Sequence, residues 1–357
     1  MTRYLFAGGG TAGHVNPLLA VADELCRTDP SSQVIALGTK EGLEARLVPD
    51  RGYELVTIPK LPFPRRPNRA ALRFPAAYTN LVRSLARQIQ ERQIEMVVGF
   101  GGYAAAPAYS AARKAHVPVI IHEGNARPGL ANRWGALLTP WVGVTFPGTP
   151  LPHAHQVGMP LRREIERLDV AHARSLARAV FGLDDERPTL LVTGGSSGAR
   201  RLNATVRDRA ERMINAGWQI LHIQGGLGEL DDPGLAHYRL LNYCDRMELA
   251  LASADCAVAR AGAVTVSEFT HVGVPAIYVP LPFGNGEQRY NAAGVVASGG
   301  GVMVDDAHFT PEWIDSHLMP LLSDRDRLRG MAEAASRFGV ADGAARMVSL
   351  IKTATAA

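Results

Sequence analysis

Apolar residues follow two alternating patterns along this chain. Short runs rich in β-branched residues predict buried strands, and longer segments with apolar residues every three or four positions predict amphipathic helices. Up to residue 158 the predicted strands are 3–7, 34–37, 55–58, 96–99, 117–121 and 141–144. The predicted helices between them are 15–26, 43–49, 70–92, 104–114 and 129–138. This alternation predicts a parallel sheet covered by helices on both faces.

The alternation restarts after residues 158–167, where a linker is predicted because glycine and proline give way to charged residues. The later predicted strands are 190–193, 219–223, 238–242, 256–259 and 276–279. The later predicted helices are 200–216, 247–252, 264–271, 287–297, 311–322 and 324–336. A chain of 357 residues is longer than one hydrophobic core usually serves. The sequence therefore predicts an α/β fold of two Rossmann-like domains, 1–160 and 161–340, whose parallel sheets face an interdomain cleft.

Three glycine-rich turns each follow a predicted strand and precede a predicted helix. They read GGGTAGH at 8–14, GGSSGAR at 194–200 and RAGAVTVSE at 260–268. The first turn of a helix presents N–H groups at the positive end of the helix dipole, which favours phosphate groups. The three turns therefore predict a nucleotide ligand.

The first turn matches the dinucleotide-binding pattern G-x-G-x-x-G through Gly8, Gly10 and Gly13. That pattern also requires an acidic residue at the end of the second strand, where it binds the ribose. The second strand here ends in ALGT at 36–39, which disfavours a dehydrogenase. No glycine turn ends in the Gly-Lys-Ser/Thr of a P-loop, and no Asp-x-Asp of the kind that holds a metal on a sugar diphosphate is found. We therefore expect neither a metal nor a cofactor.

Charge is distributed unevenly. Residues 1–160 contain 17 basic and 10 acidic residues, whereas residues 161–357 contain 21 basic and 24 acidic ones. Residues 55–90 include no acidic residue but seven basic ones, interleaved with apolar side chains such as Phe63, Leu72 and Leu81. Such a segment can contact an anionic membrane interface, and it can equally be a solvated helix. No nucleic-acid-binding motif accompanies the charge, so nucleic acid is not an expected partner.

The compartment is indicated by cysteine use and by the N-terminus. Cys26, Cys244 and Cys256 are widely spaced and form no Cys-x-x-Cys pair, which argues against a disulfide framework or a zinc site. The chain runs into glycine at residue 8 with no signal-peptide apolar region, and no apolar stretch is long enough to span a bilayer. We expect a cytoplasmic protein that is peripheral to a membrane at most.

Motifs along nearly the whole chain resemble those of the MurG family of glycosyltransferases, in the same order. They are GGGTAGH followed by NPLLA at 16–20, GGY at 101–103, HEGN at 122–125, GMPLR at 158–162, GGSSGAR, GAVTVSE at 262–268 and QRYN at 288–291. Ala12, Gly124 and Ser197 depart from the residues usual in that family. The resemblance implies a GT-B fold, with the donor bound mainly by the C-terminal domain and a last helix, 341–357, packing back on the N-terminal domain.

The resemblance also implies an activity, which is inverting transfer of N-acetylglucosamine from UDP-N-acetylglucosamine to a lipid acceptor. The acceptor is the 4-hydroxyl of the N-acetylmuramyl group in undecaprenyl-pyrophosphoryl-N-acetylmuramyl-pentapeptide (lipid I), and the product is lipid II for peptidoglycan synthesis. The alternatives are another GT-B transferase, a UDP-sugar epimerase and a non-catalytic UDP-sugar-binding protein.

Site residues follow from the resemblance and from their chemistry. His14 is the expected general base and Glu123 its rival. Glu268 is expected to bind the ribose, although TVSE at 265–268 is also a formal capping box with Thr265 as N-cap. Arg162 is expected on the diphosphate and Asn125 on the donor sugar. The other expected donor contacts are Thr11, Ala12, Gly13, Ser196, Cys244, Ala263, Val264, Thr265, Val266, Ser267, Gln288 and Asn291.

An acceptor with a polyprenyl chain stays in the bilayer, so the enzyme must come to it. The resemblance therefore implies a peripheral protein on the cytoplasmic face of the cell membrane. Expected membrane contacts are Arg65, Arg66, Arg69, Arg73 and Phe74. Expected partners are UDP-N-acetylglucosamine, lipid I, the anionic inner leaflet and proteins of cell-wall synthesis and division.

Overall fold

The computed structural model describes residues 2–64, 69–195, 198–226, 228 and 230–356. The chain forms two compact units, one of Met1–Arg162 with Asp342–Ala357 and one of Arg163–Ala341. Each unit contains one parallel sheet with helices packed on it. The α/β prediction is therefore confirmed.

The N-terminal unit is built on a seven-stranded parallel sheet with strand order β3-β2-β1-β4-β5-β6-β7. Its strands are β1 Arg3–Ala7, β2 Gln33–Gly38, β3 Glu54–Thr57, β4 Met96–Gly99, β5 Val119–Glu123, β6 Val142–Val144 and β7 Ala154–Gln156. Its helices are α1 Ala12–Thr28, α2 Glu44–Asp50, α3 Arg69–Glu91, α4 Ala105–Ala115, α5 Leu130–Gly135 and the C-terminal helix Gly343–Ala356.

The side chains of alternate residues of β1 point to opposite faces of this sheet, as strand geometry requires, and are buried on both faces. Leu5 and Ala7 belong to a core with residues of α3 and α4. Tyr4 and Phe6 belong to a second core, with residues of α1 and of the C-terminal helix. Because both faces are covered, residues 4–7 of β1 form a continuous apolar run instead of a polar–apolar alternation.

The C-terminal unit is built on a six-stranded parallel sheet with strand order β10-β9-β8-β11-β12-β13. Its strands are β8 Thr189–Thr193, β9 Gln219–Ile223, β10 Tyr238–Leu241, β11 Cys256–Ala259, β12 Ala276–Tyr278 and β13 Gly301–Met303. Its helices are α6 Arg163–Glu166, α7 Val170–Phe181, α8 Arg200–Asp208, α9 Ala210–Asn215, α10 Met247–Ser253, α11 Ala263–Val272, α12 Glu287–Ala297, α13 Pro311–Trp313, the π-helical segment Ile314–Leu318, α14 Met319–Ser323 and α15 Arg325–Phe338.

Several predicted elements were wrong in detail. The helix predicted at 200–216 is two helices, because the backbone leaves helical geometry at Arg209. The helix predicted at 311–322 is interrupted by the π-helical segment. Helix α7 begins just after the predicted linker and was not predicted, although Asp169 caps its first turn and Gly182 ends it in a left-handed conformation. Strand β7 was missed because all three of its residues are exposed and carry no apolar pattern.

All three glycine turns open helices, as predicted. They follow β1, β8 and β11 and lead into α1, α8 and α11. In each sheet the connections run in opposite directions from one pair of central strands, β1 with β4 and β8 with β11. Loops after such a pair diverge and leave a crevice, which is the usual ligand site of an open α/β sheet. The fold therefore places the three turns at the two switch points.

Candidate active site

The first glycine turn lies at the switch point of the N-terminal sheet. Gly10 has φ of +92°, a conformation that favours glycine. The turn also packs backbone to backbone on the loop after β4, since a Cβ on Gly102 would lie 2.5 Å from the carbonyl oxygen of Gly9. Thr11 is the N-cap of α1 in extended geometry, and the helix begins at Ala12. The exposed residues Thr11 and Gly13 are thus in the first turn of a helix, with N–H groups that the helix itself does not use.

The imidazole of His14 is held by the turn that precedes it. Its Nδ1 lies 3.2 Å from the carbonyl oxygen of Gly9 and 3.3 Å from Oγ1 of Thr11. A carbonyl oxygen can only accept a hydrogen bond, so the proton is on Nδ1 and the lone pair is on Nε2. Burial lowers the pKa of His14 from 6.5, while the charge of Glu123, the hydrogen bond to Gly9 and the charge of Glu44 act against this shift. His14 is therefore neutral near pH 7 and can accept a proton at Nε2.

Glu123, the rival base, ends β5 and is buried. Its Oε1 accepts hydrogen bonds from the backbone and side-chain nitrogens of Asn125, at 2.8 and 3.3 Å. Its Oε2 accepts from the backbone of Gly129 and from Nδ2 of Asn132, both at 3.0 Å. The carboxylate thus closes the loop between β5 and α5 and holds Asn125 on it. Four donors already occupy this group, which favours His14 as the base.

Asn132, which was not among the predicted site residues, links this loop to the core. It is buried on α5 and accepts a hydrogen bond from the hydroxyl of Tyr109 at 2.7 Å. Its Nδ2 also donates to the carbonyl oxygen of His122 at 3.0 Å. The sequence pattern does not mark Asn132, because exposed and buried residues do not alternate regularly on the short helix α5.

The third glycine turn forms the N-terminus of α11. The N-cap is Gly262 and the helix begins at Ala263, so Thr265 is its third residue. The capping-box interpretation, with Thr265 as N-cap, was therefore wrong. Val266 is the first residue that donates within the helix, to the carbonyl oxygen of Gly262. The N–H groups of Ala263, Val264 and Thr265 therefore precede the intrahelical bonds and can face an anion.

Later residues of α11 differ in their access to solvent. Val266 is fully buried, Ser267 is half-buried and Glu268 is 6% exposed. Val266 can therefore reach a ligand only through its backbone. Glu268 lies in the second turn of the helix, three residues beyond Thr265, the third helical position that a capping box uses.

Gln288 and Asn291 both hold Ala261, the residue that precedes the N-cap of α11. Oε1 of Gln288 accepts hydrogen bonds from the N–H groups of Ala261 and Leu281, at 3.1 and 3.0 Å. Nδ2 of Asn291 donates to the carbonyl oxygen of Ala261 at 3.2 Å, and its side chain is completely buried. Two backbone donors identify the amide oxygen of Gln288, so its NH₂ group points the other way. Of the two predicted sugar contacts, Gln288 has the amide that can donate to a ligand.

The described residues of the second glycine turn pack closely on one another and on the loop after β9. The N–H of Gly195 donates to Oγ1 of Thr193 at 3.2 Å, and the N–H of Gly198 donates to the carbonyl oxygen of Gly195 at 3.0 Å. Gly225, in the loop after β9, approaches so closely that a Cβ on it would lie 2.3 Å from the nitrogen of Gly198. The predicted contact Ser196 lies outside the described residues.

Two further predicted contacts lie on loops. Arg162 is half-buried and directly precedes α6, and Cys244 is half-buried between β10 and α10. Arg260, the first residue of the third turn, was not among the predicted contacts. Its guanidinium is buried with the carboxylate of Asp306 at 2.6 Å and donates to the carbonyl oxygen of Val279 at 3.1 Å. The base of the turn is thereby fixed to the strand next to it.

The predicted membrane segment is only partly described. Arg65 and Arg66 lie outside the described residues, and Arg69 begins α3. Arg73 is exposed, and so are the neighbouring apolar side chains of Leu72, at 83%, and Phe63, at 67%. The ring of Phe74 contacts those of Phe63 and Tyr78, with centroids 5.4 and 5.6 Å away.

A second apolar surface was not anticipated. Leu130, Trp134 and Leu137 recur at helical spacing on and after α5, and they are 72%, 46% and 71% exposed. Within the described parts of the chain, no helix is both long and apolar enough to span a bilayer. The same parts contain no group of three or more His, Cys, Asp or Glu side chains that could hold a metal ion.

Comparison with known proteins identifies the family. Residues 4–139 match the glycosyltransferase family 28 N-terminal domain, and residues 189–347 match the glycosyltransferase family 28 C-terminal domain. A relative from Leifsonia xyli subsp. xyli (strain CTCB07), named UDP-N-acetylglucosamine--N-acetylmuramyl-(pentapeptide) pyrophosphoryl-undecaprenol N-acetylglucosamine transferase, is 69% identical over 100% of both chains.

Solved structures support the same assignment. The crystal structure of Acinetobacter baumannii MurG is similar with a TM-score of 0.77 and 28% identity, covering 99% of this chain and 100% of that one. UDP-GlcNAc 2-epimerase from Neisseria meningitidis, bound to UDP-GlcNAc, has a TM-score of 0.70 at 14% identity, with 99% and 100% covered. At that identity it shares the fold alone, and the predicted GT-B fold is confirmed. The chain therefore belongs to glycosyltransferase family 28, among the UDP-N-acetylglucosamine--N-acetylmuramyl-(pentapeptide) pyrophosphoryl-undecaprenol N-acetylglucosamine transferases.

Proposed function

We propose that this chain transfers N-acetylglucosamine from UDP-N-acetylglucosamine to the 4-hydroxyl of the N-acetylmuramyl group of lipid I, in peptidoglycan synthesis. The observation that carries the proposal is the 69% identity, over the full length of both chains, to an enzyme named for this transfer. An epimerase is less well supported, because the epimerase neighbour shares only the fold.

His14 is the proposed base. Its neutral imidazole has the lone pair on Nε2, because the Gly9 carbonyl engages the proton on Nδ1. The acceptor hydroxyl gives its proton to Nε2 while its oxygen attacks the anomeric carbon. Attack comes from the face opposite UDP, so the C–O bond to the diphosphate breaks and the configuration inverts through an oxocarbenium-like transition state.

The leaving diphosphate is the proposed ligand of the N-termini of α8 and α11 and of Arg162. Helix N-termini carry partial positive charge, and a guanidinium can bind two phosphate oxygens at once. Such groups stabilise charge without reorganising during the reaction. We expect turnover to continue in excess chelator, which remains a prediction.

The rest of the donor has separate proposed contacts. Glu268 accepts hydrogen bonds from the ribose hydroxyls, and the backbone at Cys244 contacts uracil. The NH₂ group of Gln288 and the side chain of Asn125 bind hydroxyl groups of the sugar. Asn291 acts through Ala261, since it is completely buried and already donates to that residue.

The two units have different proposed roles. We assign the acceptor and the membrane to the N-terminal unit and most of the donor to the C-terminal unit. Arginines of the 65–73 segment would contact anionic headgroups of the inner leaflet, with Phe63, Leu72 and Phe74 at the interface. The exposed apolar side chains of Leu130 and Trp134 would extend this contact. The protein is thus proposed to be peripheral on the cytoplasmic face, close to proteins of cell-wall synthesis and division.

One assay separates this function from its alternatives. UDP release from UDP-N-acetylglucosamine is measured with and without a lipid I analogue, and the products are separated by chromatography. The proposal requires UDP release that depends on the acceptor, together with a disaccharide product. An isomeric UDP-sugar formed without acceptor would identify an epimerase, and donor binding without turnover would identify a binding protein. His14→Ala is the control, since it removes the base but none of the proposed donor contacts.

A further inference from the structure

A buried carboxylate that the proposed reaction does not use lies against the first glycine turn. Glu44, the first residue of α2, is 1% exposed. Its Oε2 accepts a hydrogen bond from the N–H of Gly10 at 2.7 Å. Its Oε1 accepts from the N–H and from the hydroxyl of Thr39, both at 2.8 Å. The carboxylate therefore joins the turn after β1 to the loop after β2.

Three glycines leave the space that this carboxylate occupies. A Cβ on Gly9 would lie 2.3 Å from Oε1 of Glu44, and one on Gly42 would lie 2.0 Å from Oε2. A Cβ on Gly38 would lie 2.4 Å from Cγ. All three distances are shorter than a carbon atom can tolerate. Two of these glycines come from the second strand and its loop, so the cradle is built by two separate segments of the chain.

The carboxylate and the base attach to the same peptide group. The N–H of Gly10 donates to Glu44, and the carbonyl oxygen of Gly9 accepts from Nδ1 of His14. This N–H and this carbonyl belong to one peptide unit, which is planar and turns as a whole. Rotation of the unit would break both hydrogen bonds together. Because hydrogen bonds in series polarise one another, a negative charge on the N–H side also strengthens the bond on the carbonyl side.

The same carboxylate makes the first turn unlike the other two. Burial by itself raises the pKa of Glu44, but the hydrogen bonds from Gly10 and Thr39 outweigh it and hold the pKa below its usual value. The group is therefore ionised at neutral pH. A phosphate oxygen cannot approach the N–H of Gly10 without meeting this negative charge.

We propose that Glu44 is a positioning residue that holds the Gly9–Gly10 peptide, and through it the orientation and Nδ1–H tautomer of His14. The inference rests on the proposed function for the role of His14 as base.

The test compares Glu44→Gln with Val48→Ala. Glutamine has the same size as glutamate but no charge. Its NH₂ group must face one of the N–H donors from which the carboxylate accepts, so that hydrogen bond is lost. Val48 is a fully buried residue of the same helix that has no role in the turn, so its truncation controls for loss of stability. We expect Glu44→Gln to lower kcat on the order of 10- to 100-fold, with the KM for the donor within about twofold. At an equal loss of thermal stability, Val48→Ala should keep kcat.

The titration of His14 supplies a readout that needs no substrate. Glu44 from α2, Glu123 from β5 and His122 from the same strand are the charged or titratable groups that act on it. Removing the charge of Glu44 should move the titration of the His14 ring, followed by NMR with labelled histidine, to lower pH. In Val48→Ala it should stay at its wild-type position.

Two results would overturn the inference. One is a kcat of Glu44→Gln equal to that of the stability control, and the other is an unmoved His14 titration. If Glu44→Gln does not fold, Thr39→Val takes its place, since it removes one hydrogen bond from Oε1 and should shift both readouts in the same direction by less. A wild-type enzyme without acceptor-dependent UDP release would instead contradict the proposed function, and the NMR titration would still test the link between the two residues.

Discussion

Gln288 and Asn291, one helical turn apart on α12, hold opposite ends of the same residue. The first accepts from the N–H of Ala261, and the second donates to its carbonyl oxygen. The position of the α11 N-terminus is therefore set by α12, and not only by the strand that leads into it. Asn291, which the sequence predicts to be a ligand contact, is fully buried.

Gln288→Glu separates positioning from donor contact. The carboxylate can still accept from Ala261 and Leu281, so the thermal midpoint should change little. It replaces the NH₂ donors and adds a negative charge close to the proposed diphosphate site, so the donor KM should rise on the order of 10-fold or more. Steady-state kinetics at saturating acceptor measure this. A donor KM equal to wild type would show that the amide of Gln288 does not face the donor.

Glu268→Gln tests the ribose contact. The carboxylate can accept from both ribose hydroxyls, whereas the amide can accept fully from only one, so the Kd for UDP should rise on the order of 10-fold. Calorimetric titration with UDP and with 2′-deoxy-UDP measures the Kd for each ligand. The wild type should bind UDP more tightly than 2′-deoxy-UDP, and the variant should show a smaller difference between the two. Val272→Ala, on the same helix but outside the expected donor contacts, is the control. Equal discrimination by wild type and variant would place Glu268 away from the ribose.

The pH–rate profile follows from the surroundings of His14. Burial lowers its pKa from 6.5, and only the neutral form can accept the acceptor proton. Activity should therefore fall on acidification with an apparent pKa below 6.5, not near it as an exposed histidine would give. His14→Ala should lower kcat on the order of 10²–10⁴-fold with little change in donor affinity. An unchanged acidic limb in this variant would transfer the role to Glu123.

Stability should fall in acid because two histidines are buried in the neutral form. Burial lowers the pKa of His122 and of His222 from 6.5 to about 4. Between pH 6.5 and about 4 the unfolded chain binds more protons than the folded one. The free energy of unfolding therefore decreases as the pH falls through this window. Each histidine should cost on the order of 3 kcal/mol at pH 4. Denaturant unfolding at pH 4 and 7 checks this, and His222→Gln should reduce the loss in the C-terminal unit.

Membrane binding should depend on the arginines of the basic segment. Replacing Arg65, Arg66, Arg69 and Arg73 with Gln should remove salt-sensitive binding to anionic liposomes, at about 1 kcal/mol per arginine. Turnover of a short-chain, water-soluble acceptor should survive. Liposome binding that is unaffected would identify the segment as a solvated face. In that case Trp134→Ser tests whether the contact lies at α5 instead.

Much of this protein was determined by local sequence. Apolar periodicity predicted most strands and helices, because a strand buried on both faces and an amphipathic helix have different and readable patterns. Glycine turns predicted where helices start, since they need backbone conformations and close approaches that other residues resist. The motifs identified the family, because they occur in this chain in the same order as in the family.

Tertiary structure decided what the sequence could not. The capping box of Thr265 failed because α11 starts earlier, at the N-cap Gly262, next to a residue that α12 holds in place. The role of Glu44 was invisible, since its partner at Gly10 is 34 positions away and no local pattern brings them together. The tautomer of His14 depends on the carbonyl group of Gly9, and Glu44 helps to fix the direction of that carbonyl. Contacts between distant segments form only when the sheet sets strands side by side, and the chemistry of this site depends on such contacts.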